Sequence, residues 1–221
     1  MFPTVFYNYI IYERMKKLLS LSALLLSLSA WCQKPHDQYS LEAGYGMGIS
    51  GHPTTVGFAH YEVGFRYMVD EFWGIKFDFG SDSFRMDDNP ELGSDYKRYS
   101  FQGVHNLGRT LNIANTAGSN INLLAHGGLG YSSLTSVTRG GTDNIGNVII
   151  GLTPQLRLGK SLALTLDTSY ILNFTQHYNF DGQHPARPEH TSLKSFTGHL
   201  FTASVGFTFY FGKNGSDADW R

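Results

Sequence analysis

For most of its length this chain alternates large apolar side chains with small or polar ones, and no other feature restricts its fold as much. In an extended strand successive side chains point to opposite faces, so a period of two sorts residues onto two surfaces. Tyr39, Leu41, Ala43, Tyr45, Met47 and Ile49 share one surface, and Ser40, Glu42, Gly44, Gly46, Gly48 and Ser50 share the other. Tyr61, Val63, Phe65, Tyr67 and Val69 oppose Glu62, Gly64, Arg66 and Met68 in the same way. After Asp70-Glu71, Trp73, Ile75, Phe77 and Phe79 oppose Gly74, Lys76, Asp78 and Gly80, which predicts a hairpin. A weaker segment runs from Lys97 to Leu107, followed by segments at 121–131, 148–158, 162–174 and 199–211. After the N-terminal region the chain has no run of ~18 apolar residues and no long segment with helical i, i+3, i+4, i+7 spacing.

These segments number eight, and most are as long as the ~9 to 11 residues that a tilted strand needs to cross a bilayer. Their connections predict alternate lengths. Asp70-Glu71 and Gly159-Lys160-Ser161 are short, whereas 82–96, 132–147 and 175–198 read as long loops rich in Gly, Asp, Asn, Ser and Pro. Short periplasmic turns and long external loops are the asymmetry of an outer-membrane barrel. The segment 108–120 does not fit, being too long for a tight turn on the periplasmic side.

A strand in hydrocarbon must pair all its backbone groups with neighbouring strands, so its sheet must close and show an apolar outer surface. Leu162, Leu164, Leu166, Tyr170, Leu172 and Phe174 supply such a surface, against Ala163, Thr165, Asp167, Ser169 and Asn173. Charges recur on the small, polar face: Glu42, Glu62, Asp78 and Asp167 with Arg66, Lys76, Arg98 and Arg157. Equal in number and opposite in sign, they predict an inward network that plugs a narrow lumen, since eight strands enclose little more than their own side chains. His126 is expected to point inward as a hydrogen-bonded lumen residue. In a soluble β-sandwich, by contrast, the same charges would form a solvated face. The aromatic content of 14% beside 16% charged residues, and the 25 glycines, favour the β reading. Glycines at alternate positions make room in a narrow barrel; Gly44–Gly48 and Gly127–Gly130 open no helix and lack the Lys-Ser/Thr ending of a phosphate loop.

The last segment places Gly206 before Phe207, Phe209 and Phe211 at alternate positions, an ending that resembles the assembly signal read by the barrel-insertion machinery. At the other end, Lys16-Lys17, the apolar stretch 18–28 and Ala30-Trp31-Cys32 predict a secretory signal over 1–32, with 1–14 as an upstream extension. Acylation of Cys32 is the competing reading, disfavoured by the bulky Trp31 before it. The barrel is then expected over 33–211, with a periplasmic tail at 212–221. Cleavage after Cys32 removes the only cysteine, and with it thiol chemistry. Lys plus Arg number 17 against 18 Asp plus Glu, so no polybasic surface points to nucleic acid.

Several segments together resemble the N-terminal barrel of OmpA-like proteins of the Bacteroidetes group: Gly103-Val104-His105-Asn106-Leu107-Gly108-Arg109, Leu124-Ala125-His126-Gly127-Gly128, Gln176-His177-Tyr178-Asn179-Phe180-Asp181-Gly182, and Tyr210-Phe211-Gly212-Lys213 with Ala218-Asp219-Trp220. In that family a peptidoglycan-binding domain follows the barrel after an Ala-Asp-Trp stretch; this sequence stops at Arg221, so the resemblance carries no cell-wall anchoring with it. It implies an all-β, eight-stranded, antiparallel, up-and-down transmembrane β-barrel of the cell envelope, exported to the outer membrane. Its expected partners are outer-membrane lipid, the insertion machinery at the last strand and a surface ligand at the external loops.

No catalytic, cofactor or metal site is expected. The loop holding His177, Asp181, His184, Glu189 and His190, with Ser192 and Ser195, invites a metal or hydrolytic reading but has no fixed ligand spacing such as His-Glu-x-x-His. The leading expectation is therefore a non-enzymatic barrel with a structural or surface-contact role. A narrow, porin-like diffusion channel and an enzyme at the external rim are the alternatives.

Overall fold

The computed structural model describes residues 37–51, 53–86, 88–117, 119–184, 195–215 and 219–220, so the expected signal at 1–32 lies outside the described residues. The described chain is a closed barrel of eight antiparallel strands, each paired with its sequence neighbours and the last with the first. The strands are β1 (Gln38–Gly51), β2 (Thr54–Met68), β3 (Trp73–Met86), β4 (Asn89–Asn106), β5 (Ile121–Ser136), β6 (Thr142–Arg157), β7 (Leu162–Gln176) and β8 (Phe196–Phe211). Two short helices, α1 (Leu107–Thr110) and α2 (Ile113–Ala117), occupy the connection between β4 and β5. We call the end that carries Gln38 and Phe211 proximal, and the opposite end distal.

Closure decides which face of each strand is which. Leu41, Tyr45, Val63, Phe77, Leu129, Ile150 and Phe207 are all exposed on the outside, while Glu62, Arg66, Lys76, Asp78 and Asp167 are buried inside. The barrel is thus inverted relative to a soluble one, with an apolar exterior and a polar interior. Aromatic side chains cluster on the exterior. Near the proximal end Tyr39 stacks on Tyr67 at 5.0 Å and on Phe211 at 5.6 Å, and farther up Phe79 meets Tyr99 at 5.0 Å. Among the described residues no helix is long and apolar enough to cross a membrane.

The strands run 14 to 18 residues, longer than the sequence suggested. Two of the three expected long loops are corrected by this. The segment 82–96 is mostly strand: β3 continues to Met86 and β4 starts at Asn89, with Ser83 opposite Asp95 and Phe84 opposite Ser94. The segment 132–147 likewise reduces to 137–141, because β5 and β6 stay paired out to Thr135 and Thr142. Polar composition had suggested loops there, but the inward face of a distal strand tip can be polar without ending the ladder. Of the three expected long loops, only the connection from His177 to Ser195 remains long. Proximally, the β2–β3 turn is closed by Asp70, whose carboxylate accepts from the backbone N–H of Phe72 and of Trp73 at 2.7 Å each. The anomalous 108–120 segment is explained by its helices: the Asn106 side chain caps α1 by accepting from the Arg109 N–H.

The β1/β8 seam closes on glycines. Gly44 and Gly206 lie opposite one another, and a Cβ on Gly206 would meet the Ala43 carbonyl oxygen and the Gly44 Cα at 2.7 Å. Any side chain at 206 would force the two strands apart. Gly206→Val is expected to cost at least the ~1–3 kcal/mol of overpacking, read as loss of the heat-modifiable, fast-migrating band after refolding in detergent. Val205→Ala, next door but facing outward, should retain that band.

Candidate functional site

The buried side chains of the barrel interior fall into three layers. The distal layer is apolar: Phe84, Tyr96, Leu134, Ile145, Ile149, Ile171 and Leu200 converge from the strands onto Phe180, which the loop after β7 folds back into the lumen. Phe180 meets the Phe84 ring edge-on at 5.0 Å. Its backbone is held there by the barrel tips, with Ser94 Oγ donating to the Phe180 carbonyl at 2.7 Å and Ser136 Oγ to the Gly182 carbonyl at 2.6 Å. Gly182 adopts φ 76°, a backbone that favours glycine and lets the loop turn down into the mouth. At the base of the loop, Asp143 accepts the His177 N–H at 2.5 Å and faces His177 Nδ1 at 3.1 Å.

The middle layer holds the expected charges. Lys76 Nζ lies 3.0 Å from Glu42, 3.6 Å from Asp78 and 3.7 Å from Asp167. Arg98 donates to Asp78 at 3.0 Å, and Arg66 Nε to Glu42 at 2.7 Å. Glu62 accepts from Ser204 Oγ at 2.5 Å and faces His60 at 3.7 Å. His126 lies inside, with Nδ1 2.6 Å from Gln102 and Nε2 3.2 Å from Asp167. Asp167 also accepts from Thr153 at 2.8 Å and Ser169 at 2.9 Å. Six of the eight predicted charges, Glu42, Arg66, Lys76, Asp78, Arg98 and Asp167, therefore meet in one network of ion pairs, and Glu62 lies inside with His60 and Ser204.

Arg157 does not join it. It sits half-exposed at the proximal end, donates to the Gly159 carbonyl at 3.2 Å and lies over the Trp220 ring at 6.0 Å. Three other acidic or basic groups that sequence reasoning missed take part instead. His60 pairs with Asp82 at 2.8 Å; Asp82 had been assigned to a loop, although the inward alternation Lys76, Asp78, Gly80, Asp82 could have recovered it. Asp219, expected in a tail outside the barrel, is buried in the proximal layer. There it receives both Nη atoms of Arg66, at 3.1 and 3.0 Å. The six carboxylates Glu42, Glu62, Asp78, Asp82, Asp167 and Asp219 thus face Arg66, Lys76, Arg98, His60 and His126.

The proximal layer is completed by Tyr210, Ala163 and Trp220. Gly206 faces inward, whereas Phe207, Phe209 and Phe211, expected as an assembly signal, project from the apolar exterior. At the distal rim, His184 stacks on Tyr178 at 4.3 Å, and Ser195 is exposed. Among the described residues no three His, Cys, Asp or Glu groups are placed to hold a metal ion. Glu189, His190 and Ser192 lie outside the described residues.

No protein-family model matches the chain, and no curated protein matches it in sequence. Solved structures do match in shape. Neisserial surface protein A superposes with a TM-score of 0.53 at 9% identity, over 80% of this chain and 97% of its own. The N-terminal β-barrel domain of Pseudomonas aeruginosa OprF superposes with a TM-score of 0.50 at 11% identity, over 80% of this chain and 100% of that domain. The chain has the fold of the small outer-membrane barrels. At these identities the likeness concerns backbone architecture, and the interior must be read from its own residues.

Removing one member of a buried ion cluster leaves the others uncompensated, which costs about 3–5 kcal/mol. Lys76→Met should therefore lower the unfolding free energy obtained by urea titration of the folded band by an amount of that order, since three carboxylates lose their common cation. Arg157→Met, outside the network, is expected to change it by less than about 1 kcal/mol. Equal effects of the two substitutions would show that the network does not hold the barrel together.

Proposed function

We propose that this protein is a non-enzymatic outer-membrane barrel with a structural role in the membrane and a surface-contact role at its distal rim. What supports this reading is the set of buried side chains inside the barrel: an apolar cluster around Phe180, the ion pairs around Lys76, and Asp219 with Trp220. Diffusion through a barrel needs a polar, open path, and here each layer obstructs one by a different chemistry. The apolar exterior fits a lipid environment, with the short turns facing the periplasm and the 177–195 loop facing outward. That loop is the natural contact surface, because the other distal connections are tight. The resemblance to OmpA-like barrels of the Bacteroidetes group agrees with export through a signal at 1–32 and with insertion guided by the aromatic last strand.

In planar bilayers the purified, heat-modifiable protein should show no conductance steps. Lys76→Ala and Arg66→Ala should remain silent, because the Phe180 layer lies distal to both. Steps from the unaltered protein would overturn the filled-lumen reading in favour of a narrow channel.

A further inference from the structure

Asp219 and Trp220 sit in the proximal mouth as a ligand sits in a site. The Asp219 carboxylate takes both terminal nitrogens of Arg66 in a bidentate pair, and Gln38 Nε2 lies 3.4 Å from the same carboxylate. Asn106 Nδ2 lies 3.5 Å from the Asp219 carbonyl oxygen. Trp220 packs with Ala163 and Tyr210 under the Arg157 guanidinium. These partners come from β1, β2, the end of β4, β6, β7 and β8, so the surroundings of the pair exist only once the barrel has closed.

The receiving groups are built around an acid and an aromatic ring. Arg66 is almost fully buried, and its Nε is already committed to Glu42, which leaves the outward fork of the guanidinium for a second carboxylate. A buried guanidinium fork without its anion is costly, and a carboxylate is the planar, two-oxygen group that matches it. Beside the Trp220 ring a cleft of about 200 Å³ continues over Phe72, Arg109, Asn112, Ile121 and Asn122. The site therefore extends beyond the two residues that fill it.

We propose that the proximal mouth is a binding socket for an aspartate-tryptophan pair, occupied in cis by the chain's own Asp219 and Trp220, and that this occupancy shuts the mouth. A tethered pair is presented at an effective concentration on the order of millimolar, so it excludes other acidic-aromatic segments until it is withdrawn. The socket is independent of whether the barrel conducts, so its test reads occupancy rather than current.

The experiment uses the full chain with Trp31→Phe and Trp73→Phe, which leaves Trp220 as the only tryptophan of the three. Trp220 fluorescence should resist acrylamide quenching, and Asp219→Asn should raise the quenching constant severalfold with the heat-dependent gel shift retained. In the same background the Asp219→Ala/Trp220→Ala protein carries no tryptophan, so the peptide acetyl-Asp-Trp-amide reports its own binding. It should show a saturable blue shift that acetyl-Asn-Trp-amide does not, and that disappears when Arg66→Gln is added. Unchanged quenching in Asp219→Asn, no saturable shift, or equal binding of the Asn peptide would each overturn the socket. Loss of the gel shift in the Asp219→Ala/Trp220→Ala protein would do so too, since the pair would then be an inseparable part of the core.

Discussion

Lys76 reaches three carboxylates that belong to three strands: Glu42 on β1, Asp78 on β3 and Asp167 on β7. In a barrel with an apolar exterior nothing on the outside distinguishes one arrangement of strands from another by more than packing. The interior does. An ammonium group buried among carboxylates tolerates little displacement, because each ion has left water and recovers that cost only through close partners. Arg98 and Arg66 extend the same constraint to β4 and β2, and His126 to β5. The strand register seen around the barrel is therefore tied to an inner set of charges that share their partners across strands.

The ladder imposes the complementary demand from the backbone. Hydrocarbon offers no hydrogen-bond partners, so an unpaired edge at β1 or β8 cannot persist there. Gly44 and Gly206 let those edges meet where larger residues would hold them apart. Asp219 then reaches Gln38 on β1 and Arg66 on β2, to one side of the joint, while Trp220 packs with Tyr210 on β8, on the other. Backbone closure and interior charge pairing support one another toward the proximal end, where two of the three connections are short and the third carries α1 and α2.

The alternation of Tyr39 to Ser50 was enough to read β1, its inward face and the sign of its charge at Glu42. The same period read Arg66, Lys76, Asp78, Arg98 and Asp167, because a residue's face in a strand depends only on its neighbours in sequence. Composition misled where it was allowed to outvote the period: Asp82 and Ser94 look like loop residues, yet they are inward positions of long strands. Arg157 has inward parity but lies too near the strand end to reach the network, and parity alone carries no information about height. Phe180 and Asp219 were not legible at all. Each reaches its partners by folding a connecting segment back on the barrel, and such contacts, 86 residues apart for Ser94–Phe180 and 153 for Arg66–Asp219, leave no local pattern.

The three layers differ in what could move them. The middle one is made of strand residues, so displacing a charge means bending the barrel wall. The distal and proximal layers each take in residues from outside the strands, Phe180 and the Asp219–Trp220 pair, held by a few side-chain bonds and by aromatic rings that are not woven into the ladder. A backbone-paired wall opens only by breaking many hydrogen bonds together, whereas a tethered plug opens by breaking the few that hold it. The contacts that fewest bonds hold are therefore those of Phe180 and of Asp219 with Trp220 at the two mouths, while the charged middle belongs to the barrel wall.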